Sequence, residues 1–154
     1  DRTLYSGDGV SNNAYTTFGA YNRHTNHTAQ FTCPNVERDL YTTADSTIGN
    51  KTLMYPVGLI TYDEIVFSGM DNGHINKLSY IYSSQNYWTM SPCNFDATYA
   101  SSRVWFEFNG GYLNNWWDVS NSLGTRPIIN IKADVKISGG IGTANDPFVV
   151  DTNN

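Results

Sequence analysis

Charge is the scarcest property of this 154-residue chain: Asp, Glu, Lys and Arg make up 15% of it, against about a quarter of an average globular protein. Positive charge is scarcer still, with nine Lys and Arg against fourteen Asp and Glu and a net charge of −5. Reading phosphate backbones requires basic side chains gathered on one surface. The nine form no cluster, so no nucleic-acid partner is expected. No run of 18 or more apolar residues occurs, so no membrane-spanning helix is expected here, and any export or anchoring segment is expected to lie outside these residues. Absent too are a phosphate loop of the GxxxxGK kind, GxSxG, HExxH and a pair of CxxC. Nucleotide and zincin readings therefore fall, and no cofactor is expected. Only two cysteines are present, Cys33 and Cys93. They are compatible with one disulfide in an oxidising compartment, but sequence does not show that they meet.

Polarity is supplied instead by Asn, Ser, Thr and Tyr, alongside 40% hydrophobic and 14% aromatic residues. That balance, with short β-branched runs, reads as a secreted, extracellular or cell-surface protein. The length suits one domain, residues 1–154, able to bury roughly two thirds of its unfolded surface. The first thirty residues read as loop with a short helix around Ala14 to Arg23. FTCPNVERDLYTT gives two extended pieces broken at Pro34, and ADSTIGNKTL is turn-rich. In YPVGLITYDEIVFSGM, an extended PVGLI leads to Thr61, three residues before Glu64. This is the spacing of a capping box, and it predicts a helix from Tyr62 to Ser68 ending at Gly69.

Further on, LSYIYSSQNYWTMSP reads as a strand ended by Pro92. VWFEFNGGYL reads as a hairpin turning at Asn109-Gly110-Gly111. On it, Val104, Phe106 and Phe108 share one face, and Arg103, Trp105 and Glu107 the other. One of these is the core face, and the opposite face carries a tryptophan between two charges. Ile129, Ile131, Ala133, Val135 and Ile137 alternate with polar neighbours, the strongest strand signal in the chain. GGIGTANDPFVVD closes it with a turn and a short strand. The class is α+β, of short antiparallel strands with one or two short helices in the N-terminal half.

Candidate chemistry is thin. His24 and His27 lie three apart, but in a Thr- and Asn-rich loop they read as solvated, and no metal is expected. Asp71-Asn72-Gly73 has part of a calcium-loop pattern without its remaining carboxylates. Asp63 and Glu64 resemble an acid/base pair, yet the first turn of a helix explains both. Neither cysteine has a neighbouring histidine to make it a nucleophile.

What stands out is the region from Cys93 to Asn121, where Phe95, Tyr99, Trp105, Phe106, Phe108, Tyr112, Trp116 and Trp117 fall within 23 residues. On extended chain, Trp116 and Trp117 point to opposite faces. Either both pack in a small second core under a loop, or they serve as recognition anchors. Tyr and Trp amid Ser, Asn and Gly form the mixture of a paratope and favour recognition.

The phrases PVGLITYDE, YWTMSP, VWFEFNGGYL and GTRPIINIKADVKISGGIGTANDPFVV resemble, in order, the C-type-lectin-fold domains related to the formylglycine-generating-enzyme fold. These domains serve as variable proteins of diversity-generating retroelements and occur in bacterial surface, prepilin-like and phage receptor-binding proteins. The resemblance implies a C-type lectin-like fold whose fixed scaffold holds a diversified ligand-binding face. Val104, Gly111, Leu113, Val119, Arg126, Pro127 and Ile129 match the scaffold. Asn94, Phe95, Asp96, Tyr99, Ser101, Arg103, Trp105, Asn114, Asn115, Trp116, Trp117 and Asn121 fall at displayed positions, as does Cys93, which argues against a structural disulfide. The implied ligand is a protein or glycan on a cell or phage surface, and catalysis is not inherited from the fold. Two alternatives stay open: a structural pilus or coat subunit, and an enzyme using Cys93 or a carboxylate pair.

Overall fold

The computed structural model describes residues 4–6, 15–33, 54–55, 57–129, 134–143 and 145–151. In chain order the elements are β1 (Leu4–Ser6), β2 (Tyr15–Phe18), α1 (Gly19–Asn26), β3 (Val57–Leu59), α2 (Tyr62–Phe67), β4 (Tyr87–Asp96), β5 (Ser101–Phe108), β6 (Tyr112–Asn114), β7 (Gly124–Thr125), β8 (Pro127–Ile129), β9 (Ile137–Gly139) and β10 (Val149–Val150). The main sheet runs β1-β2-β4-β5-β6, all antiparallel, and β7 adds in parallel beside the start of β4. Two small antiparallel ladders, β3–β8 and β9–β10, complete an α+β arrangement dominated by strands. Among the described residues, no helix is long and apolar enough to cross a membrane.

The second helix forms where its capping residues place it. Thr61 Oγ1 accepts from the Glu64 backbone N–H at 3.2 Å, and Glu64 Oε2 accepts from the Thr61 N–H at 2.8 Å. Two otherwise unpartnered donors are satisfied reciprocally. Gly69, at φ +91°, then takes the left-handed conformation that ends the turn. The first helix starts five residues later than expected, because Tyr15–Thr17 pair with Asn94–Asp96 and this stretch is drawn into the sheet.

Strand β4 continues through Pro92, where an end was expected. Its register with β5 shifts between Trp88 and Pro92 and again between Pro92 and Asn94. A bulge takes residues out of the ladder, so a proline without an N–H is tolerated there. The hairpin at Asn109-Gly110-Gly111 forms as read, with Phe108 opposite Tyr112 and Gly111 at φ +86°.

The hydrophobic core lies on the sheet face that carries Trp105. Ala20 of α1, Tyr62 and Ile65 of α2, Met70, Tyr87, Cys93, Trp105 and Leu113 pack together there. Trp105 and Glu107 therefore sit on the core face, and the expectation of an uncovered tryptophan between two charges is overturned. Phe106, on the other face, is buried as well, in contact with Trp88, Phe108 and Trp117.

The expected strand through Ile129 to Ile137 is not continuous. β8 pairs with β3 and β9 with β10, Asp134 lies in a turn, and residues 130–133 fall outside those described. Two segments serving different partners need not share one register. The closing glycine turn and short strand form as expected, with Gly140 and Gly142 at positive φ. The extended pieces and turns read between Pro34 and Leu53 lie outside the described residues.

Candidate functional site

The candidate surface is built at the tip of the β4–β5 hairpin, whose turn spans Ala97 to Ala100. Beyond β6 the chain leaves the ladder at Asn115 and runs along the remaining edge of β5. Val119 donates its N–H to Ser102 O at 2.9 Å, and Ser102 donates its own to Asp118 Oδ2 at 2.9 Å. The loop 115–121 thus takes the place of a strand beside the tip.

Side-chain hydrogen bonds hold this loop. Asn114 is buried, and its Oδ1 accepts from the N–H of Asn115 at 2.7 Å and of Trp116 at 3.1 Å. Asp118 Oδ1 accepts from Ser120 N–H at 2.9 Å, and Asp118 O accepts from both the backbone and the side-chain amide of Asn121. The Ser120 N–H, then the Ser101 hydroxyl, hold the Asp118 carboxyl below its ordinary range. Asn115 Nδ2 donates to Cys93 Sγ at 3.1 Å, tying the loop to β4.

The residues expected on one displayed face divide into four groups. Tyr99 and Trp116 are 77% and 72% exposed, and Asn121 is exposed as well. Trp117 sits at the rim, 37% exposed, with its ring stacked on Phe106. Phe95, Asp96, Ser101, Arg103 and Asn115 are half-buried.

Asn94, Trp105, Asn114 and Cys93 are buried, which corrects their expected display. Trp105 lies under α1 and α2, with the His24 ring 5.0 Å and the Tyr62 ring 4.8 Å from its own. Asn94 is enclosed between Thr17 of β2 and Arg103 of β5. Asn114, opposite Phe106 in register, is buried with its amide oxygen capping the loop. Register partners share a face, so Asn94, Asp96, Ser101 and Arg103 lie on the helix side and Phe95 with Ser102 on the opposite side.

Tyr15 and Val119 were not among the expected residues, yet both are about half exposed at this end of the sheet. Tyr15 stands opposite Asp96 although about eighty positions separate them. No local pattern signals such a neighbour. Val119, expected as scaffold, is bonded through its backbone and shows its side chain to solvent.

The competing chemistries find their groups engaged elsewhere. Cys93 is a free, fully buried thiol, so the Cys33–Cys93 bridge is not formed. Burial pushes the Cys93 thiol up to about 12, opposite to the shift that activates a nucleophile. Asp63 makes a two-point ion pair with Arg23, and Glu64 closes the capping box. Asp71 Oδ1 accepts from Tyr62 OH at 3.1 Å and from the Asn72 N–H at 2.7 Å, with His24 Nδ1 at 3.4 Å. Among the described residues no group of three or more His, Cys, Asp or Glu is placed to hold a metal ion. No family model, curated protein or solved structure matches the chain.

Proposed function

We propose that this chain is an extracellular recognition domain that binds a protein or glycan on a cell or phage surface through the β4–β5 tip and the loop 115–121. On this reading the fold is C-type lectin-like and the domain is a relative of retroelement-diversified variable proteins, as its framework phrases suggest. One observation carries the proposal. Trp116 is 72% exposed, yet its backbone is pinned by a buried asparagine. A large ring carried in water on a backbone already pinned needs less loop ordering when a ligand arrives, and a Trp side chain has only two rotatable angles to fix. Tyr99, Trp117, Val119 and Asn121 extend the same surface with aromatic, aliphatic and amide groups.

The test is a comparison of the native chain with Trp116→Ala and Tyr99→Ala on a glycan array and against a displayed peptide library. Loss of about tenfold or more in affinity, with an unchanged melting temperature, is expected. Ligands bound equally well by both variants would sink the proposal.

A structural coat or pilus subunit is the second reading, favoured by the exposed Ile137, Ile141, Phe148 and Val149 on and beside the β9–β10 hairpin. An isolated two-stranded hairpin is marginal in water, and exposed apolar patches often serve association. Light scattering across a concentration series decides it, since a strict monomer at high concentration removes this reading.

A further inference from the structure

We infer that the helix side of the β4–β5 hairpin carries a carboxylate-binding subsite centred on Arg103, which takes an acidic side chain of a protein ligand. This rests on the recognition reading above and names the chemistry of one part of that surface.

Two independent irregularities meet at one register position. Arg103 of β5 is half-buried and stands directly opposite Asn94 of β4. Its Nε donates to Ser101 Oγ at 3.3 Å, and among the described residues no carboxylate lies within ion-pair distance of its guanidinium. Asn94 is 1% exposed, and neither its amide nitrogen nor its amide oxygen has a hydrogen-bond partner. A partly desolvated guanidinium and a buried amide are both costly to leave unmatched. The register puts both residues on one face of the hairpin, and the half-buried guanidinium is the group that a polar partner from outside can reach.

The nearby acids do not serve Arg103. Asp118 stands across an isolated backbone bridge from Arg103, yet its carboxylate oxygens accept from the N–H groups of Ser102 and Ser120 and make no ion pair with the guanidinium. Asp96, on the same face, accepts from the Thr98 N–H at 3.0 Å. With Nε turned to Ser101, the two terminal nitrogens of the guanidinium remain as a planar fork. That fork matches a carboxylate through two parallel charge-assisted hydrogen bonds. Tyr15, opposite Asp96 on the same face and about half exposed, adds a phenol at this end of the hairpin.

The surroundings favour a protein rather than a sugar as the source of the carboxylate. Tyr15, Tyr99, Trp116 and Val119 supply rigid aromatic and aliphatic area at this end of the sheet, the mixture suited to peptide side chains. The chain's net charge of −5 gives no long-range attraction for an acidic partner. Recognition of the acid is therefore local, through Arg103.

The test selects a random dodecapeptide display library on the whole chain. Binders are expected to share an Asp or Glu whose replacement by Ala costs about tenfold in affinity. Arg103→Gln should cost the same factor, with no additional loss when both changes are combined. Arg103→Lys keeps the charge without the fork and should fall between, and it carries the test if Arg103→Gln does not fold. Selected peptides without a required acid, equal binding by Arg103→Gln, or no binder at all overturn the inference. Arg103-dependent binding of uronic- or sialic-acid glycans alone also overturns it, in favour of a sugar. The wider reading is scored separately: if Trp116→Ala still abolishes binding, only the Arg103 subsite has failed. If neither variant matters, the surface itself is wrong.

Discussion

The indole of Trp117 stacks on the ring of Phe106 with 5.4 Å between centroids and 22° between planes, while Trp116, its neighbour in sequence, points into water. Adjacent tryptophans thus do different work, one closing the outer face of the sheet and one available to a ligand. Replacing each tryptophan by Ala should therefore give a graded series in urea denaturation. Trp105→Ala, in the core, should cost about 3–5 kcal/mol, Trp117→Ala about 1–2 because part of the ring is already wet, and Trp116→Ala under about 0.5. Equal losses at Trp116 and Trp105 would show that the loop is core rather than display.

The loop's order should depend on Asn114 more than on any exposed residue. Its Oδ1 receives two consecutive backbone N–H groups, so Asn114→Ala leaves both without that acceptor. We expect a stability loss of about 1–2 kcal/mol and faster hydrogen exchange confined to the amides of Asn115 and Trp116. Unchanged exchange at those amides would show that the cap does not hold the loop.

Arg23 of α1 and Asp63 of α2 join two elements forty residues apart through hydrogen bonds of 2.7 and 2.6 Å, both side chains being buried. Removing the Asp63 charge takes away the carboxylate that accepts both of these bonds from the buried guanidinium. Asp63→Asn should cost about 3–5 kcal/mol, and a double replacement by apolar residues of similar volume should recover much of it. A double variant no more stable than the single one would mean that the pair contributes through geometry that apolar packing cannot replace.

Glu107 is fully buried between Tyr87 and Leu113, its register partners. Burial pushes its carboxyl up to about 8, against the opposing influence of Arg126 and the Ser83 backbone, neither of which is in hydrogen-bonding geometry with it. The unfolded chain ionises Glu107 near its ordinary value, whereas the folded chain keeps the proton until about pH 8. This contribution to stability is whole below the ordinary value, declines as pH rises, and is gone above about 8. Glu107→Gln should therefore match the native chain near pH 4 and melt at a higher temperature at pH 8. A native melting temperature that tracks the variant across that range would show that Glu107 ionises without cost.

Local signals were legible wherever a few consecutive residues contain the whole cause. The Thr61–Glu64 capping box, the Asn109-Gly110-Gly111 turn and the closing glycine turn each depend on side chains or φ preferences within a short stretch. The concentration of Tyr, Trp and Asn around residues 93–121 includes three of the exposed rings, those of Tyr99, Trp116 and Trp117.

Only the tertiary structure decided which of those residues reach water. Strand alternation placed Trp105 and Phe106 on opposite faces but could not say that helices cover one and aromatic rings the other. It could not place Tyr15 opposite Asp96, bring Arg23 to Asp63, or turn Asn114 inward as a cap. Exposure depends on what is packed against a side chain, and here the packing partners come from positions tens of residues away, so no local window contains the answer.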